Sequence, residues 1–287
     1  MKKLYKAIST AALAGIIGAL PVIPTHVYAA SSSVKSTTTS SSTVNASTPS
    51  DSTVIKNAQK KLQEITGKKL ELVYKQALGN EIELSVKGQG FDQVSTDKNG
   101  NITDAHVEVG NRTFMIKNNK LDHTVEDVDT SKADKTALKA AEGVFGALDG
   151  VTKGNLKHIS LIAKGNKKVF EFMFQNGDKE SPVWIQVEKG SNQVMSINTR
   201  ILADKLFGKD KAEVDTVEQK LKSFSEDQIL ELAQKQDKEL LNVDLTGYKV
   251  IKNTQMHGRV TFEKDHSPKL SGDFNSKGQF YSLKVEY

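Results

Sequence analysis

One pattern constrains this chain more than any other, and it recurs along residues 54–287. A stretch with apolar residues every three or four positions is followed by short stretches with apolar residues at every second position, separated by turns rich in Gly and Asn. A period of 3.6 marks one face of a helix and a period of two marks one face of a strand. Each round therefore predicts a helix followed by antiparallel strands.

Val54, Ala58, Leu62 and Ile65 open the first round, with Ser52 as cap and Gly67 as stop. Strands follow at Leu70–Tyr74, Glu81–Val86, Phe91–Val94 and Ile102–Val109, and Arg112–Ile116 is a short further one. Ala133, Ala137, Ala141, Val144, Phe145 and Leu148 open the second round, before strands at Leu156–Ile162, Val169–Phe174, Val183–Val187 and Gln193–Asn198. Val214, Val217, Leu221 and Phe224 open the third. Ser225, three residues before Gln228, is a capping box that restarts the helix through Ile229, Ala233 and Leu240. Strands at Tyr248–Lys252, Gly258–Phe262, Lys269–Phe274 and Phe280–Val285 complete it. The expected fold class is α+β: three tandem repeats over 54–129, 130–203 and 204–287, each one helix followed by a three- or four-stranded antiparallel meander. Units of this size are near the lower limit of independent stability, so they are expected to pack on one another.

The N-terminal residues read differently. Lys2, Lys3 and Lys6 precede an apolar run from Ala11 to Ile23, broken by Pro21 and Pro24, and Val27-Tyr28-Ala29 offers small groups for cleavage. Residues 1–29 are expected to be a secretory signal peptide, because the run falls short of the ~20 residues that span a bilayer. Residues 30–53 are mostly Ser and Thr. Such side chains bury too little apolar area to offset chain entropy, so a disordered linker is expected. No later segment is apolar enough to span a membrane, so no membrane partner is expected once the leader is gone. Losing Lys2, Lys3 and Lys6 takes the formal charge from +5 to +2. So small an excess, spread among interspersed Lys and Glu, is no nucleic-acid footprint. A lysine-rich exported chain of this kind suggests a Gram-positive source, secreted or held at the wall.

Reactive chemistry is sparse. The chain has no cysteine, which excludes disulfides, thiol nucleophiles, zinc-thiolate sites and iron–sulfur clusters. Its six histidines are scattered; none forms a His-Glu-x-x-His pair, and only His257 and His266 flank one expected hairpin. No Gly-x-Ser-x-Gly elbow or phosphate loop occurs. Ser-x-x-Lys at Ser32–Lys35 and Ser95–Lys98 lies in the linker and in a turn, where no lysine is desolvated. Asp97-Lys98-Asn99-Gly100-Asn101 has its Gly fourth rather than sixth, so it reads as a hairpin turn and not a calcium loop. Carboxylates such as Glu171 and Glu188 stand on strands without a spacing that pairs them. No catalytic residue, cofactor or metal site is expected, and the chain is read as a non-enzyme.

Pro182-Val-Trp-Ile-Gln-Val-Glu-Lys-Gly190 and Gln193-Val-Met-Ser196 form an apolar strand, a Gly turn and an apolar restart. With the preceding helix, this resembles the PepSY domain family, found in propeptides of secreted metalloproteases and in exported repeat proteins of the YcdB type. Leu270–Leu283 and Val94–Val107 are similar in outline. The turn after Val187 is longer than the family's usual Asp-x-x-Gly form. The resemblance implies a non-catalytic protein that binds, restrains or assists a secreted protease or another envelope protein.

The residues suggest where such binding would occur. Val183, Ile185 and Val187 share one strand face, while Trp184, Gln186 and Glu188 share the other. If the first face is core, Trp184 points outward or under a neighbouring unit. Trp184 with Phe170, Phe172 and Phe174 is the candidate partner-binding patch; the alternative is that these rows are buried between units. A second expectation is a wall-associated protein held to an anionic cell-wall polymer by weak, salt-sensitive contacts.

Overall fold

The computed structural model describes residues 51–90, 92–177 and 180–286. The expected leader and all but the last residues of the expected linker lie outside them. Residues 51–53 belong to the first helix, α1 (Asp51–Thr66), so Ser52 sits inside that helix rather than capping it.

The expectation of three helix-plus-meander repeats is overturned. Fourteen strands form one sheet in which every neighbouring pair is antiparallel. After α1 come β1 (Leu72–Leu78), β2 (Glu81–Val86), β3 (Gln93–Thr96), β4 (Ile102–Val109), β5 (Arg112–Lys117) and β6 (Lys120–Val128). Then follow α2 (Lys135–Gly143), β7 (Asn155–Lys164), β8 (Lys167–Gln175), β9 (Val183–Glu188) and β10 (Val194–Thr199). The chain ends with α3 (Lys211–Ser223), α4 (Glu226–Leu240), β11 (Lys249–Lys252), β12 (Arg259–Glu263), β13 (Lys269–Phe274) and β14 (Phe280–Glu286). Strands β1 to β10 lie in chain order, followed by β14, β13, β12 and β11.

Two joints fuse what would otherwise be separate meanders. The first is β6, which pairs β5 on one side and β7 on the other. Its turn from β5 is Asn118-Asn119, both at positive φ, the backbone a two-residue hairpin needs. The second joint is β10 against β14 through Ser196–Lys284, Ile197–Leu283 and Asn198–Ser282. Between β10 and β11 the chain runs through α3 and α4, long enough to carry β11 to the far edge.

The helices start where short polar side chains satisfy their free N–H groups. Asp134 accepts from Thr136 and Ala137, Asp210 accepts from Glu213, and Ser225 with Gln228 forms the capping box. The four α-helices of the described residues lie on one face of the sheet. α1 buries Val54, Ala58 and Leu62 on Leu84, Val94, Ala105 and Ile116. Ala137, Ala141, Leu221, Ile229, Ala233 and Leu240 pack with Phe172, Ile185, Ile197, Val260, Phe262 and Leu283. Cross-strand partners share a face, and Phe114, which packs on the first cluster, runs through Thr124 to Ala163. Ala163 points the same way as Leu161, which packs on the second cluster. The turn between β3 and β4 sits against α1. A Cβ on Gly100 (φ +79°) would come within 2.5 Å of the Val54 carbonyl, so glycine permits that close approach.

Candidate functional site

The two faces differ row by row. On the helix side, Ile159, Phe172, Ile185, Ile197, Leu283, Gly272 and Val260 face one another across seven strands. One residue along, Asp127, Ser160, Glu171, Gln186, Ser196, Lys284, Ser271 and Thr261 form an unbroken polar row on the opposite face. None of the four helices covers that row. It is the candidate functional site, and its middle is the most deeply buried part.

At its centre, Gln186 Nε2 donates to Glu171 Oε2 at 2.9 Å, while Glu171 Oε1 has no hydrogen-bond partner. Glu171 is 1 % exposed. Burial pushes its carboxyl up to about 7, with the Gln186 amide pulling partly the other way. On β7, His158 Nε2 lies 2.8 Å from Ser160 Oγ and 3.5 Å from Asp127 Oδ1. Burial pulls the His158 imidazole below its ordinary value, and Asp127 opposes that.

Ser, His and Asp side by side invite comparison with a nucleophilic triad, and the geometry rejects it. A triad holds the serine at one imidazole nitrogen and the carboxylate at the other. Here both oxygens meet Nε2, and the Ser160 hydroxyl is sealed beneath the surface. A little further along the same face, His123 is buried with Nδ1 2.7 Å from Asp122 Oδ2 and with Nε2 lacking a partner. Burial pulls its imidazole down as well.

The structure separates the residues expected to form one aromatic patch. Trp184 faces Met173 and Asn198 on the helix-free side and is half-buried. Phe170, Phe172 and Phe174 point the other way into the apolar core, where Phe174 meets the edge of Phe145 at a centroid distance of 5.2 Å. The alternation of β8 places its aromatics beneath the helices, so they are removed from the candidate patch and Trp184 remains. Glu171 and Glu188 do not pair: Glu188 faces Val169 and accepts from Ser191 Oγ. His257 and His266 stand at opposite ends of β12, so they do not meet. Among the described residues no three His, Asp or Glu side chains are grouped to hold a metal ion.

A cavity of about 250 Å³ lies beside β12, lined in part by Lys222, Lys252, His257 and Arg259. Its cations have other tasks. Lys252 Nζ donates to the Lys222 and Phe224 carbonyls at the end of α3. Arg259 is held by both Asp273 oxygens at 2.7 and 3.1 Å. The cavity therefore offers little to an anion.

One residue escaped the sequence reading altogether. Asp237 lies on the apolar stripe of α4, four residues after Ala233 and three before Leu240. It is fully buried and neither carboxyl oxygen has a hydrogen-bond partner. Burial pushes it up to about 7. The signal was available: a carboxylate at a position where the 3.6 period demands an apolar residue. Comparisons with family models, with curated proteins and with solved structures found no match for this chain.

Proposed function

We propose that this chain is an exported, non-catalytic binding protein that engages another extracellular or envelope protein, a secreted protease being the first candidate, through the helix-free face around Trp184. The observation that carries this reading is the position of the only tryptophan. It is half-buried on the face without helices, while the aromatic residues of the neighbouring strand are committed to the core. A large amphipathic side chain set in a polar surface is the usual anchor of a protein interface. The two carboxyl groups that burial raises, Glu171 and Asp237, are sealed from solvent, which suits an interaction protein better than an acid–base enzyme. The leader pattern of residues 1–29 supports export. The PepSY-like residues 182–196 fall on β9 and β10, the strands that present Trp184 and Asn198.

The test is to immobilise the mature chain and expose it to the culture supernatant of the producing organism. Recovery of one dominant secreted protease, with lowered activity and with loss of capture in Trp184→Ala, is the expected outcome. Recovery of no exported protein, or equal capture by Trp184→Ala, contradicts the proposal.

A further inference from the structure

Glu171 is not explained by binding at Trp184. It stands on the helix-free face, yet it is 1 % exposed and receives a single hydrogen bond, with Oε1 unpartnered. An ionised carboxylate has about four acceptor sites to fill. In a site this buried, with one protein donor, the neutral acid is the favoured form, and ionisation demands further donors.

The groups that face Glu171 do not supply them. From β7 comes Ser160, directly opposite, whose hydroxyl is shared with His158. Behind it on β6 is Asp127, itself within 3.5 Å of His158. From β9 comes Gln186, already donating, with Glu188 two residues along. On β8 itself the flanking residues of the same face are Val169 and Met173. The row's lysine, Lys284, is separated from Glu171 by Gln186 and Ser196, and Glu286 lies two residues beyond it. Trp184 is the diagonal neighbour of Glu171 across the β8–β9 pair, a spacing of roughly 7–8 Å between backbones that a large ring spans.

We propose that Glu171 is a proton-operated latch on the helix-free face: protonated, it lets β7, β8 and β9 close around Trp184, and ionised, it loosens the same rows so that water enters and Trp184 becomes exposed. The latch acts in the isolated chain, so it stands or falls independently of whether a protease is the partner. For a partner docking at Trp184, it makes the available surface depend on the pH of the surroundings.

Trp184 is the only tryptophan of the whole sequence, so its fluorescence reports this site alone. The experiment measures iodide quenching of the full chain from about pH 5 to about pH 9, a span that brackets carboxyl and imidazole titrations. The expected result is one step with a midpoint near 7 and higher quenching on the alkaline side. Glu171→Gln loses the step and stays in the weakly quenched state, whereas Asp237→Asn, which removes the other raised carboxyl, keeps it. A wild-type chain without a step, a step that survives Glu171→Gln, or one that disappears in Asp237→Asn overturns the latch. If Glu171→Gln does not fold, the carbon-13 shift of the Glu171 carboxyl in the wild-type chain decides. Titration together with Trp184 supports the latch, and a carboxyl already ionised at the acidic end of the range overturns it.

Discussion

The two faces of the sheet bury carboxyl groups in opposite settings. On the helix side, Asp237 interrupts the apolar stripe of α4 and is fully buried. On the other side, Glu171 belongs to a row that is polar from β6 to β12. The first is an exception in a core; the second is part of a pattern. Beside that row the same face buries Met173, Ile162 and Val125, so apolar area contributes there too, and in the proposed function it is the part around Trp184 that serves recognition. The face beneath the helices carries the larger apolar core.

The largest test of this division is to truncate one large side chain on each face. Phe172→Ala, at a fully buried position under the helices, is expected to cost about 3–5 kcal/mol in denaturant unfolding. Trp184→Ala, half-exposed on the other face, is expected to cost about 1 kcal/mol while abolishing partner capture. Equal losses would erase the distinction between the faces.

Next in size is the pH dependence of the buried acid in the core. A carboxyl whose folded value lies above its unfolded value is protonated in the fold and ionised in the unfolded chain between the two. It therefore favours unfolding as pH rises, from the ordinary aspartate range until the folded group itself ionises near 7. Asp237→Asn is expected to be nearly neutral at about pH 4 and to gain about 4 kcal/mol over wild type at about pH 8. Urea titrations at the two pH values check this. A difference that does not change with pH would mean that Asp237 is ionised throughout.

The smallest contrast compares adjacent residues of β13. Gly272 lies on the helix side, where a Cβ would come within 2.8 Å of the Phe280 ring. Phe280 is itself buried and cannot step aside, so Gly272→Ala is expected to cost about 2 kcal/mol through overpacking. Ser271 faces the other way, where its hydroxyl meets Glu286 at 3.2 Å. Ser271→Ala is expected to change stability by less than about 0.5 kcal/mol. Thermal unfolding of the pair checks both values.

Much of the local structure was legible in the sequence. The helices beginning near Val54 and Ala133, and the capping box at Ser225, followed from spacing and cap chemistry alone. So did the parity of β9, which sets Trp184 opposite Val183 and Ile185. The global arrangement was not legible, for two physical reasons. Strand β6 reads Lys-Leu-Asp-His-Thr-Val-Glu-Asp-Val and has only a weak apolar alternation, because both faces mix polar and apolar residues: Thr124, Glu126 and Val128 on the helix side, His123, Val125 and Asp127 on the other; without it the first stretch reads as ending before β7. The β10–β14 joint couples residues more than 80 positions apart, and such pairing leaves no local periodicity to read. The site was half visible for the same reason. Period two places Phe170, Phe172 and Phe174 on one row and Glu171 and Met173 on the other, but only the packing of α2 on β8 and β9 tells which row is core.

The most direct measurement of the central claim is the accessibility of Trp184 in the free chain and in its complex with a captured secreted protein, read by iodide quenching at about pH 9, on the alkaline side of the Glu171 step. The expected result is a ring open to quencher in the free chain and shielded in the complex, with Phe172 amide exchange unchanged. A Trp184 equally quenched in both states, or already shielded in the free chain, would contradict the assignment of the helix-free face as the binding surface.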